Sequence, residues 1–183
     1  MKYQLRDYQK KASDAAVMYF KMKSGRNGLL VLPTGAGKSL IIADIAARLE
    51  EPLIVFQPNK EILEQNFAKL QTYGIWDCSI YSASVGRKEI SRITFATIGS
   101  VIRHMKDFQH FKNILIDECH LVKPSDGMYK RFFEQAERRI VGLTATPYRL
   151  YSCMNGSMLK FLTRTRPRVF SQVLYYCQVS ELL

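Results

Sequence analysis

Asp117-Glu118-Cys119-His120 closes the apolar run Ile114-Leu115-Ile116, downstream of a glycine-rich stretch, Pro33-Thr34-Gly35-Ala36-Gly37-Lys38-Ser39. Adjacent carboxylates at the end of a buried strand are costly unless a cation meets them there. The glycine-rich stretch supplies the complement. Gly35, Ala36 and Gly37 let the backbone turn so that successive N–H groups face inward, Lys38 extends toward phosphates, and the Ser39 hydroxyl can ligate Mg2+. A helix starting at Lys38 adds its positive end to the same anion site. Leu32 stands where the general pattern G-x-x-x-x-G-K-[ST] has its first glycine. The Lys-Ser suffix, between a strand and a helix, still marks nucleotide binding, and the acidic pair makes the ligand a Mg2+-nucleotide.

Asp117 and Glu118 point in different directions from one strand end and so take different roles. Asp117 is placed to hold Mg2+, directly or through water, and Glu118 to orient and deprotonate the water that attacks the γ-phosphate. Thr144-Ala145-Thr146-Pro147 follows a later strand and brings two hydroxyls to the same sheet edge, within reach of His120 or Glu118. Each fragment also has an ordinary structural meaning, as a turn or a capped strand end. It is their combination that points to nucleotide chemistry.

These groups need a scaffold. Leu5, Tyr8, Ala12, Ala15, Tyr19 and Met22 recur at helical spacing and predict an N-terminal helix with one buried stripe. Gly28 to Leu32 reads as a strand feeding the loop, Lys38 to Leu49 as an apolar helix, and Leu53 to Gln57 as a second strand. Pro58 and Asn59 can start a helix whose Leu63, Phe67 and Leu70 share a face. Further strands are expected at Asp77–Tyr81, Ile93–Ala96, Ile114–Asp117 and Ile140–Thr144. A helix through Tyr129, Phe132, Phe133 and Ala136 is expected to end in Arg138-Arg139, cations suited to its negative end. Beyond Arg149 a helical turn over Met158–Leu162, an exposed connection over Thr163–Arg168 and a strand within Gln172–Val179 are expected. Strands alternating with helices predict an α/β domain, with a mostly parallel central sheet, helices on both faces and the ligand beyond the carboxyl ends of the strands.

Composition sets the outer bounds. A chain of 183 residues, 47% hydrophobic and 23% charged, suits one globular domain. Asp44 breaks the longest apolar run, Leu40–Ala47, far short of the roughly twenty residues that span a bilayer. The polar N-terminus has no signal-peptide core, so no membrane association and a cytoplasmic setting are expected. The four cysteines and three histidines lack ligand or scaffold spacing, which predicts free thiols and no structural metal. The formal charge of +11 is concentrated in Lys2–Arg26 and in Arg138–Arg168, where no acid occurs. Such a field attracts polyanions, nucleic acid foremost, although a basic face also serves solubility.

The ordered set resembles the first, RecA-like motor domain of superfamily 2 helicases and translocases. The resemblance rests on Gln9 in an adenine-sensing element, Pro33–Ser39 as motif I, Pro58–Gln65 as motif Ia, Ala96–Ser100 as motif Ib, Asp117–His120 as motif II and Thr144–Thr146 as motif III. Leu5-Arg6-Asp7-Tyr8-Gln9 and Gly142-Leu143-Thr144-Ala145-Thr146-Pro147-Tyr148-Arg149 resemble the RadD-like and restriction-motor branch of DNA-directed enzymes. The resemblance implies ATP and Mg2+ as cofactors, with Gln9, Thr34, Gly35, Ala36, Gly37, Lys38 and Ser39 on the nucleotide. It also implies Lys38, Asp117, Glu118 and His120 in catalysis, and Ser39 and Asp117 on the metal. Pro58, Asn59, Gln65, Thr97 and Ser100 would hold one nucleic-acid strand, DNA in preference to RNA. Thr144, Thr146 and Arg149 would couple the two sites. Cys119 is then a packing position, since nothing nearby would activate a thiolate.

On this reading residues 1–150 form the ATP-binding domain and 151–183 an extension leading to a linker. The second RecA-like domain, which supplies arginine fingers worth about 10³ to 10⁵ in rate, is expected to lie outside this chain. The lone domain is then expected to bind ATP and turn it over very slowly. Alternatives are an RNA helicase domain, a non-motor ATP switch recruiting a protein partner, or a module that grips nucleic acid without useful hydrolysis.

Overall fold

Alternate residues of each central strand point to opposite sides of one sheet, and two buried clusters record the division. The computed structural model describes residues 4–22, 26–123, 126–153, 156–164 and 169–181. Helix α1 (Asp7–Lys21) leads into strand β1 (Gly28–Val31), the glycine-rich loop and α2 (Lys38–Arg48). Strand β2 (Leu53–Phe56) is followed by α3 (Lys60–Thr72), then β3 (Cys78–Ser82), the short β4 (Arg87–Lys88) and β5 (Ile93–Ala96). Next come α4 (Ile98–Val101), β6 (Asn113–Ile116), α5 (Met128–Phe133) and β7 (Arg139–Thr144). A hairpin of β8 (Tyr148–Cys153) and β9 (Gly156–Phe161) precedes β10 (Gln172–Tyr176).

Eight strands form one sheet in the order β10-β1-β7-β6-β2-β5-β3-β4, parallel throughout except for the β3–β4 pair. On one face Leu30, Val55, Phe95, Leu115 and Leu143 pack beneath α1, α2 and α3. On the other, Leu29, Ile54, Phe56, Ile114 and Ile140 meet Val101 of α4, Phe108, Phe111 and Phe132 of α5. Phe56 takes Tyr129 and Phe132 edge-on at 5.4 and 5.3 Å between ring centres, an arrangement that adds to plain burial. The expected parallel sheet covered on both faces is present.

Several local expectations need correction. Met158–Leu162 is not a helical turn, because residues through Phe161 belong to β9, paired antiparallel with β8. α5 stops at Phe133, so Arg138 and Arg139 do not cap its carbonyl end. Arg138 is instead buried over the Phe132 ring at 3.8 Å and donates to the Phe111 carbonyl at 2.6 Å. Arg139 opens β7 and pairs with Glu51. In α1 the buried stripe includes Gln9, Ser13, Ala16, Val17 and Phe20, while Met22 lies outside the helix, 62% being reached by Met18 and 54% by Met22 in exposure. The strand expected within Gln172–Val179 is β10. Of the connection expected over Thr163–Arg168, residues 165–168 lie outside the described residues.

Candidate active site

Strand order decides which motifs meet. The parallel run β1-β7-β6-β2-β5 delivers to one sheet edge, in that sequence, Pro33–Ser39, Thr144, Asp117–His120, Gln57–Pro58 and Thr97. The edge is held in register by backbone bonds from Leu32 N to Thr144 O at 2.9 Å, Asp117 N to Phe56 O at 3.0 Å and Gln57 N to Ala96 O at 3.0 Å.

In the phosphate loop Gly35 and Gly37 have φ of +82° and +74°, left-handed values that a side chain resists. A Cβ on Gly37 would also lie 2.5 Å from Gln9 Nε2. Gln9 is buried against this loop. Its Nε2 donates to the Ala36 carbonyl at 2.9 Å, and its Oε1 accepts from Arg6 N at 3.0 Å as part of the α1 capping box. Tyr8 Oη donates to the same carbonyl at 3.3 Å. Both ends of the Gln9 amide are thus engaged with protein. Thr34 and Gly35 are exposed, and the first N–H groups of α2, at Lys38 and Ser39, have no acceptor within the helix.

Lys38 Nζ lies 2.8 Å from Glu118 Oε1. Glu118 adopts φ +47°, the only positive φ among described non-glycine residues, and this turns its carboxylate back toward the loop. Backbone strain of this kind persists only where surroundings enforce it. His120 Nδ1 lies 3.4 Å from Glu118 Oε2 and 3.0 Å from Thr144 Oγ1, between the two motifs. Thr144 Oγ1 accepts from Thr146 N at 2.9 Å. Arg149 reaches back to the carbonyls of His120, at 3.0 Å, and Val122. The three motifs therefore form one polar chain, from Lys38 through Glu118 and His120 to Thr144.

Asp117 is buried, 5% exposed, and accepts from Glu118 N at 3.0 Å and Asn66 Nδ2 at 3.3 Å. Burial and then the neighbouring Glu118 charge push its carboxyl up to about 6, against the opposing pull of Lys38 and the two hydrogen bonds. Among the described residues it has no ion-pair partner. A buried carboxylate without an ion-pair partner, and the Ser39 hydroxyl in the first turn of α2, are oxygen donors of the kind that a hard cation carrying phosphate takes. Cys119 is fully buried under Gly142, where a Cβ would meet its Sγ at 2.6 Å, and burial drives its thiol well up. It packs, as expected.

The residues expected on nucleic acid line the continuation of the edge. Asn59 caps α3, its Oδ1 accepting from Ile62 N at 2.9 Å, and Gln65 is exposed on the same helix. Thr97 and Ser100 hydroxyls are 3.0 Å apart, Thr97 also lies 3.2 Å from Ser82 Oγ, and Ser100 Oγ accepts from Ala83 N at 2.8 Å. A cleft of about 240 Å³ runs between Pro58, Thr97, Gly99, Glu118 and Tyr129. Asn66 was not anticipated. Its one signal was position, three residues after Leu63 and four before Leu70, which puts a polar group on the apolar stripe of α3.

Fold and site together define a RecA-like motor domain of the superfamily 2 helicase type. The family model described as type III restriction enzyme, res subunit, matches residues 2–149, and the chain belongs to that family. It is 30% identical over 151 residues to the DNA 3'-5' translocase XPB2 of Sulfurisphaera tokodaii, covering 81% of this chain and 32% of that protein. It is 29% identical over 154 residues to the DNA 3'-5' helicase XPB of Mycobacterium tuberculosis, covering 79% and 27%. The chain thus spans less than a third of the length of these curated relatives. The Type ISP restriction-modification enzyme LlaGI, solved as a nuclease-deletion mutant with a DNA substrate mimic, has a TM-score of 0.68. At 16% identity, over 98% of this chain and 20% of that one, this is a likeness of fold. Membership implies the use of ATP. No helix among the described residues is long and apolar enough to cross a membrane.

Proposed function

We propose that this chain is the ATP-binding lobe of a nucleic-acid-dependent ATPase acting on DNA, of the restriction-motor or RadD-like branch and working in the cytoplasm. The polar chain from Lys38 to Thr144 supports the reading most directly, because it joins the phosphate loop to the acidic pair and to the coupling hydroxyls. Lys38 and the α2 N-terminus would bind the phosphates, with Thr34, Gly35, Ala36 and Gly37 forming the cradle and Gln9 at its rear. Ser39 and Asp117 would hold Mg2+, which when bound supplies charge neutralisation across the phosphates. Glu118, once released from Lys38, takes the proton of the attacking water, and His120 with Thr144, Thr146 and Arg149 relays its state along the edge. Pro58, Asn59, Gln65, Thr97 and Ser100 would grip one strand.

A second RecA-like domain of the same protein would complete the cleft, with residues 151–183 as the extension toward it. ATP hydrolysis measured in parallel with single-stranded DNA, duplex DNA and RNA tests the proposal. DNA should stimulate turnover, and Lys38→Ala or Glu118→Gln should abolish it. Turnover indifferent to nucleic acid would sink the idea. Strand affinity should also fall with salt, with a slope of about −0.7 in log–log form per phosphate contacted.

A further inference from the structure

The face of α3 turned away from solvent carries a polar link that the motif roles do not use. Asn66 Nδ2 lies 3.3 Å from Asp117 Oδ2 and 3.2 Å from Gln57 Oε1. The orientation is dictated by chemistry. An ionised carboxylate only accepts, so the nitrogen end of the Asn66 amide must face Asp117, and its second hydrogen goes to the Gln57 oxygen. Gln57 is 1% exposed at the end of β2, and its own Nε2 is buried with no partner. The Gln57–Asn66–Asp117 link thus joins α3 to the acidic pair while leaving one buried donor unspent beside it.

Asn66 is also next to the exposed Gln65, and its helix is capped by Asn59. Any load that shifts α3 from the strand-binding side therefore acts on Asp117 through a single side chain.

We propose that Asn66, steadied by Gln57, is a positioning residue that sets the Asp117 carboxylate according to the position of α3, so that strand engagement prepares the metal site. This rests on the functional reading above, in which α3 contacts nucleic acid and Asp117 holds Mg2+. The link acts on orientation: the Asn66 amide holds Oδ2 and leaves the rest of the carboxylate to other partners. A displacement of α3 by a fraction of an ångström changes a 3.3 Å contact from a hydrogen bond to none.

The test is a thermodynamic box on this chain. Binding of a fluorescent, non-hydrolysable ATP analogue is titrated against Mg2+, with and without a saturating single-stranded DNA oligonucleotide. In the wild type the oligonucleotide should lower the Mg2+ needed for half-maximal binding by about fivefold or more, the lower end of ordinary coupling between sites. Asn66→Asp keeps the shape and removes the donor; Asn66→Leu removes it without adding charge. Both should bring that ratio to near one while leaving oligonucleotide affinity measured without nucleotide unchanged. Gln57→Leu should lose most of the coupling, which also covers an Asn66 variant that fails to fold. Wild-type coupling in folded Asn66→Asp and Asn66→Leu would overturn the proposal. A wild-type chain that binds neither analogue nor oligonucleotide would overturn the functional reading and the relay with it. Binding of both without coupling would overturn the relay alone.

Discussion

Lys38 Nζ and Glu118 Oε1 sit 2.8 Å apart, so the lysine that follows the glycine-rich loop and the second carboxylate of the acidic pair hold one another. Both side chains are largely shielded, at 15% and 25% exposure. On the proposed function, entry of a triphosphate breaks this pair, and the same event that recruits Lys38 frees Glu118.

Glu118→Gln should therefore separate affinity from chemistry. Removing the competitor for Lys38 is worth about 1 kcal/mol, or roughly fivefold tighter ATP binding, while hydrolysis is lost. Equilibrium fluorescence with labelled ATP and a turnover assay on the same preparation measure the two effects. Weaker binding in the variant would show that Glu118 is not restraining Lys38.

Asp117 predicts an unusual pH profile. Its folded-state carboxyl is raised from 3.8 to about 6, so between those values the folded chain holds the proton more tightly than the unfolded one. Stability contributed by this group is present at acid pH and declines as pH rises through that window. Asp117→Asn removes the buried charge, so relative to the wild type it should gain roughly 2–3 kcal/mol between pH 4 and pH 7.5, on top of a constant cost for whichever of Glu118 N and Asn66 Nδ2 its single amide oxygen no longer accepts. Urea unfolding at both pH values checks this, and a constant difference would refute the assignment.

Gly142 should be intolerant. A Cβ there would lie 2.6 Å from both Cys119 Sγ and Phe170, so Gly142→Ala is expected to cost about 1–3 kcal/mol through overpacking. Cys119→Ala in the same chain should restore part of the loss, since it vacates one of the two contacts. Thermal unfolding of the single and double variants reads the coupling directly.

Asn59 offers a way to divide capping from strand binding. Asn59→Ala should destabilise by about 1 kcal/mol through loss of the bond to Ile62 N. Asn59→Asp keeps that bond and should keep the stability, yet weaken single-strand affinity by adding negative charge where phosphate is expected. Unchanged affinity in Asn59→Asp would confine Asn59 to its cap.

Three of the strands around the site were legible because each is a short apolar run stopped by a proline or an acid. Gly28–Leu32, Leu53–Gln57 and Ile114–Asp117 show this, and their parallel order follows from the helices between them. Asn66 was not legible, because a helical asparagine carries no signature until Asp117 stands opposite it, across a separation in sequence that only the fold removes. The reach of the α5 helix was overestimated for a related reason. Ala136 continued the apolar spacing, but burial of the Arg138 guanidinium over Phe132 requires the chain to turn earlier. The hairpin of β8 and β9 had a signal in the sequence, the Asn155-Gly156 doublet, which the expectation of a helical turn over Met158–Leu162 left unused.

β1, the strand that presents the phosphate loop, lies between β7 and β10. Its hydrogen-bonding edge is completed by Gln172–Tyr176, beyond the 2–149 span that the family model matches. During synthesis β1 is made well before β10 and must wait for it before that edge is covered. Until then it is an open template for pairing with another chain. The same holds for a protein cut after Arg149, which would retain every residue proposed for catalysis and still carry an exposed, apolar strand at β1. Such a fragment should be lost to aggregation before it is lost to chemistry.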